Sequence, residues 1–99
     1  MQTLDKRTDE AMPQTIADYL TQLSRKGFRL GEDAEGFIEF GKQYAGADEQ
    51  QVIAAIEITL KAQKSFDGAF YISLLERLVK ENIKNRTEAM KKAQHLQLL

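Results

Sequence analysis

Apolar positions recur along this chain with helical spacing, and no strand-like alternation lasts beyond a few residues. Ile16, Tyr19, Leu20 and Leu23 stand at i, i+3, i+4 and i+7, the spacing of one buried helical stripe. Pro13 suits the first position of that helix, and Arg25 and Lys26 suit its carbonyl end. Gly27 predicts a left-handed end, with Phe28 folding back in a Schellman arrangement. A second helix is predicted from about Asp33, as cap, to Tyr44, with Phe37, Phe40 and Tyr44 on one face and Ile38 beside it. Gly36 and Gly41 lie inside it, and the expected reason is close approach of another helix.

Asp48-Glu49-Gln50-Gln51 has capping-box spacing and opens a third helix with Val52, Ile53, Ile56 and Leu60 as its stripe, ending near Lys64. Asp67 caps a fourth, which carries Phe70, Tyr71, Leu74, Leu75, Leu78 and Val79. That stripe is wide, so this helix is expected at the centre of the bundle. Asn82 closes it and Ile83 docks back. Asn85-Arg86-Thr87-Glu88 repeats the capping-box spacing and opens a last helix with Ala89, Met90, Ala93 and Leu96, and the closing Leu96-Gln97-Leu98-Leu99 is expected to dock on the body. The predicted fold is all-α: a compact single-domain bundle of about five helices over residues 13–99, preceded by a flexible polar tail over residues 1–12.

Composition agrees with one small domain. The chain has 99 residues, 42% hydrophobic and 29% charged. It has no cysteine, which removes disulfides, thiolate metal sites and thiol nucleophiles. No apolar run approaches the roughly 18–20 residues of a membrane span, and the N-terminal residues have no secretory-signal pattern, so a cytoplasmic protein without membrane contact is expected. His95 is the single imidazole, without co-ligands, so neither a metal nor another cofactor is expected. Ser24, Ser65 and Ser73 stand in no nucleophile elbow and the glycines form no phosphate loop. No catalytic constellation can be assembled, and an enzyme is not expected.

Charge changes the picture more. Residues 1–60 hold six basic and eleven acidic side chains, whereas residues 61–99 hold eight basic and four acidic. The plain reading is a bundle whose halves attract and whose faces are solvated. The functional reading is a basic C-terminal face of Lys80, Lys84, Arg86, Lys91 and Lys92, open to nucleic acid or an acidic partner. Most aromatics fall on helix stripes and are expected in the core, with Phe66 and Tyr71 the ones expected at the surface for stacking.

Phe70-Tyr71-Ile72-Ser73-Leu74-Leu75-Glu76-Arg77-Leu78 resembles the Tyr-Ile-x-x-Ile-Leu-x-x-Trp stretch of DnaD-like replication-initiation domains. Val52-Ile53-Ala54-Ala55-Ile56-Glu57 is similar to the apolar run of an upstream helix in that family, and Asn82-Ile83-Lys84-Asn85-Arg86-Thr87 takes the place of its Gly-Ile-x-Thr turn. The resemblance covers residues 37–93. It implies a helical scaffold associated with single-stranded DNA binding and self-association. Phe70 stands where that family has Tyr, and Leu78 where it has the stacking Trp. The whole chain also resembles a family of short uncharacterised proteins from bacilli, through Lys26-Gly27-Phe28, residues 31–38 and residues 59–68, which implies no mechanism. The expected function is a non-enzymatic helical protein-interaction or regulatory module, linked by resemblance to DNA replication, with a protein partner or self-association. The alternative is a nucleic-acid-binding domain using the basic C-terminal face.

Overall fold

A computed structural model describes residues 15–99. The expected tail over residues 1–12 lies outside the described residues, as does Pro13. Five helices follow in order: α1 Ile16–Arg25, α2 Gly31–Ala45, α3 Glu49–Gln63, α4 Gly68–Lys80 and α5 Arg86–His95. No strand occurs among the described residues, so the all-α bundle stands.

Side-chain caps set most of the starts. Thr15 is extended and its hydroxyl accepts from the Asp18 N–H at 3.1 Å, so α1 opens at Ile16. The Ile16 N–H is satisfied from elsewhere: it donates to Glu49 Oε1 at 2.6 Å, tying the start of α1 to the start of α3. Asp67 and Asn85 cap α4 and α5 as their positions predict. Asp33 does not cap α2, which begins two residues earlier at Gly31 and leaves Asp33 in the first turn.

The ends share a device. Phe28, Ile83 and Leu98 each donate a backbone N–H to the carbonyl five residues back, on Leu23, Leu78 and Ala93, at 2.8–2.9 Å. The residue before each is left-handed: Gly27, Asn82 and Gln97. These are Schellman turns. Ile83 and Leu98 fold against the core, whereas Leu99 stays exposed.

The centre of the bundle is α3, not α4. It alone packs against all four other helices. From Gln51 to Thr59 every residue except Glu57 is buried. Ala54 and Ala55 are small and buried, so neighbouring helices can pack closely against α3. Its two buried polar side chains are satisfied internally, as burial without a partner costs roughly 1–3 kcal/mol. Thr59 Oγ1 donates to the Ala55 carbonyl at 2.7 Å. Gln51 completes a capping box with Asp48, at 2.8 and 3.0 Å. Its amide nitrogen then reaches across to the Ile83 carbonyl at 3.0 Å. One side chain therefore starts α3 and holds the turn that ends α4.

On α2 the face that enters the core carries Ile38 and Gly41. A Cβ at Gly41 would sit 2.7 Å from Tyr71 Cε2 and 2.8 Å from Ile72 Cδ1, so bare backbone is what lets α4 come this close. Tyr71 is 0% exposed and its hydroxyl donates to the Ile38 carbonyl at 2.8 Å. The expectation of an exposed Tyr71 is thereby corrected: the ring needs the Gly41 recess and its hydroxyl needs a backbone acceptor, and both lie inside.

Candidate functional site

The stripe read as the core side of α2 lies largely in water. Phe40 is 56% exposed and Tyr44 63% exposed. Their rings stack at 5.6 Å with an interplanar angle of 18°. Phe37, half-buried, follows at 5.8 Å from Phe40, and Phe66 at 6.4 Å from Phe37. Phe66 lies 5.4 Å from Tyr71. Five rings thus run from the middle of the core to the surface. Phe66 is only half-buried in the turn between α3 and α4, but its exposed edge belongs to this ladder rather than to the basic face.

Asp33, Phe37, Phe40 and Tyr44 share one side of α2 at i, i+4, i+7 and i+11, and Glu32, Gly36, Glu39 and Gln43 form the adjacent strip. Gly36 does not have the inward role expected of it. A Cβ there would meet nothing within 4 Å. The carboxylates of Glu32, Asp33 and Glu35 make no ion pair among the described residues, and Glu39 accepts only from Gln43 Nε2 at 3.2 Å. Lys42, the one cation of α2, faces Glu49 at 3.8 Å. The outward side of α2 is therefore both aromatic and acidic.

The basic C-terminal residues do not act as one set. Arg86 opens α5 and grips Glu57 with two bonds, Nε to Oε1 at 2.7 Å and Nη2 to Oε2 at 2.6 Å. A cation at a helix N-terminus opposes the dipole, and Glu57 offsets it while fastening α5 to α3. Lys92 lies 2.7 Å from Glu81, which also accepts from Arg77 at 3.1 Å. The Lys92 bond, then that of Arg77, holds the Glu81 carboxyl below the usual carboxylate range. Lys80, Lys84 and Lys91 are exposed and make no ion pair among the described residues. Two of the five cations are thus neutralised by carboxylates that the sequence reading left unassigned.

A different basic set was missed. Between α1 and α3 lies a cleft of about 370 Å³ lined by Tyr19, Leu23, Phe28, Leu60, Glu57 and the three lysines Lys26, Lys61 and Lys64. Phe28, expected to close the turn after α1, is 47% exposed at its edge. Lys26 and Lys61 lie at or near helix ends, where the dipole alone accounts for a cation, so nothing in the sequence marks them as neighbours. Tyr19 is half-buried beside the Glu57–Arg86 pair, and burial, then the Glu57 charge, pushes its phenol well above the usual tyrosine range.

Among the described residues no group of three or more His, Cys, Asp and Glu side chains gathers as a metal site. His95 is exposed at the end of α5. No helix among them is long and apolar enough to cross a membrane. The model of a family of unknown function, DUF6123, matches residues 11–99, and the chain belongs to that family. No curated protein and no solved structure matches it.

Proposed function

We propose that the chain is a non-enzymatic protein-interaction module that engages its partner through the outward face of α2. The observation that carries this reading is the stacked pair Phe40 and Tyr44, both more than half exposed. Single exposed apolar residues are ordinary, but contiguous aromatic surface bordered by charge is characteristic of contact surfaces. Gly36 supports it. A glycine inside a helix costs roughly 1 kcal/mol against alanine, and here no described residue comes within 4 Å of where a Cβ would stand. Bare backbone beside two exposed rings suits close approach from outside. A regulatory role linked to DNA replication rests on the resemblance of residues 37–93 to DnaD-like domains.

Nucleic-acid binding is the second reading, favoured by Lys80, Lys84 and Lys91, exposed and without an ion pair among the described residues. It has fewer free cations to work with, because Arg86 and Lys92 are held by Glu57 and Glu81.

The test compares wild type with Phe40→Ser/Tyr44→Ser as immobilised bait in nuclease-treated cell extract. Proteins retained by wild type are expected to be lost from the double variant while its helical circular dichroism is unchanged. Retention of the same proteins by both overturns the reading. Saturable DNA binding with a steep salt slope, lost in Lys84→Ala/Lys91→Ala, would put nucleic acid in its place.

A further inference from the structure

The lysine-rimmed cleft and the outward side of α2 complement each other in charge and in polarity. In the cleft, Lys26, Lys61 and Lys64 make no ion pair among the described residues. Its one carboxylate, Glu57, is neutralised by Arg86, from which each of its oxygens accepts one bond. The Tyr19 hydroxyl makes no hydrogen bond to a described residue, and burial keeps it protonated. The charged groups left without an ion pair at the cleft, among the described residues, are therefore all cations, arranged over an apolar floor of Leu23, Phe28 and Leu60. What fits must present acceptors around an apolar projection.

The outward side of α2 presents that pattern: Phe40 and Tyr44 project, Asp33 lies on the same side, Glu32 and Glu39 lie on the adjacent strip, and the helix's one cation is already paired. The cleft lies at the lower end of the roughly 300–1,000 Å³ typical of ligand sites, a size suited to side chains rather than to a whole helix. Lysines at its rim also suit the faces of entering aromatic rings. Gly36 lets the α2 backbone come close to the rim.

We infer that a second copy of this chain fills the cleft, so that Phe40 and Tyr44 of one copy enter between α1 and α3 of the next, with α2 carboxylates against Lys26, Lys61 and Lys64. This rests on the reading of α2 as the interaction face and adds its occupant. Face and cleft share no residue, so the contact is head-to-tail. Each added copy leaves one free face and one free cleft, and assembly continues into a ring or an open chain instead of stopping at two.

Two variants and their mixture test it by sedimentation velocity over a concentration series. Phe40→Ser/Tyr44→Ser removes the face and keeps the cleft, and Lys61→Glu/Lys64→Glu does the reverse. All four positions are exposed, so both variants are expected to fold, which circular dichroism checks. Wild type is expected to grow beyond a dimer with concentration, and to do so about tenfold less readily at high salt, where the ion pairs are screened. Each variant alone is expected to stay monomeric. Their equal mixture is expected to give a one-to-one dimer and nothing larger, because only one productive contact remains. Wild type that stays monomeric at every concentration overturns the inference, as does a mixture that stays monomeric or a single variant that still assembles. If wild type is monomeric while the α2 variant loses its partners from extract, the second copy is wrong and the α2 face stands.

Discussion

The two sides of α2 use similar residues for opposite ends. Inward, Gly41 and Ile38 receive Tyr71, a ring wholly removed from water with its hydroxyl on a backbone carbonyl. Outward, Gly36 stands one turn before Phe40, which stacks on Tyr44, two rings mostly in water, and a Cβ at Gly36 would meet no described residue within 4 Å. Each side has a glycine and aromatic surface. Only on the inner side does the fold explain both. The difference separates what the bundle needs in order to form from what it carries in addition, and the proposed use of the addition is contact with another chain.

The comparison breaks most visibly on the inner side. Tyr71→Ala is expected to cost about 3–5 kcal/mol in urea unfolding, the range for large aromatic truncations in a core. A domain of this size has roughly 5–15 kcal/mol in all, so little would remain. A loss below about 1 kcal/mol would mean that the Gly41 recess is not a core feature.

Alkaline pH sharpens the same side with a smaller effect. Burial, then the nearby Glu39 charge, pushes the Tyr71 phenol above its ordinary value, and burial does the same to Tyr19. A group whose folded-state pKa is raised contributes fully below its unfolded value, about 10 for tyrosine. Its contribution is lost as pH rises from there through the folded-state value. The urea midpoint is expected to fall above that pH, and less steeply in Tyr71→Phe, where one of the two phenols is gone. An identical pH dependence in Tyr71→Phe would contradict the buried, neutral phenol.

The smallest effect belongs to the outer side. Phe40→Ser/Tyr44→Ser is expected to change folding stability by less than about 1 kcal/mol, as for surface positions away from core, caps and networks. A loss of several kcal/mol would place those rings in the fold.

Much of this architecture was readable from local chemistry. Asp48 with Gln51, Asp67 and Asn85 mark three helix starts because a side chain and a backbone N–H three residues on suffice to make a cap. Gly27 and Asn82 mark ends for the same local reason. The orientation of α2 was not readable, because periodicity weighs side chains, and the core contact here is made at a glycine that has none. Three aromatics on one side outweighed Ile38 on the other. The central place of α3 was hidden too: its buried Gln51 draws on the Ile83 carbonyl, a partner 32 residues away. The pairing of Arg86 with Glu57 was hidden for the same cause, since the two are 29 residues apart. The Lys26, Lys61 and Lys64 cluster arises only when α1 packs on α3.

The most direct measurement is urea unfolding of Gly36→Ala and Gly41→Ala side by side. Both replace a helix-interior glycine by the best helix former, a gain of roughly 1 kcal/mol if nothing else changes. At Gly41 the new methyl meets Tyr71 and Ile72 below 3 Å, and overpacking of this kind costs about 1–3 kcal/mol. Opposite signs are expected: Gly36→Ala more stable than wild type, Gly41→Ala less stable. Destabilisation by both would show that Gly36 also serves the fold, and the claim that the outer side of α2 is kept for a partner would fail.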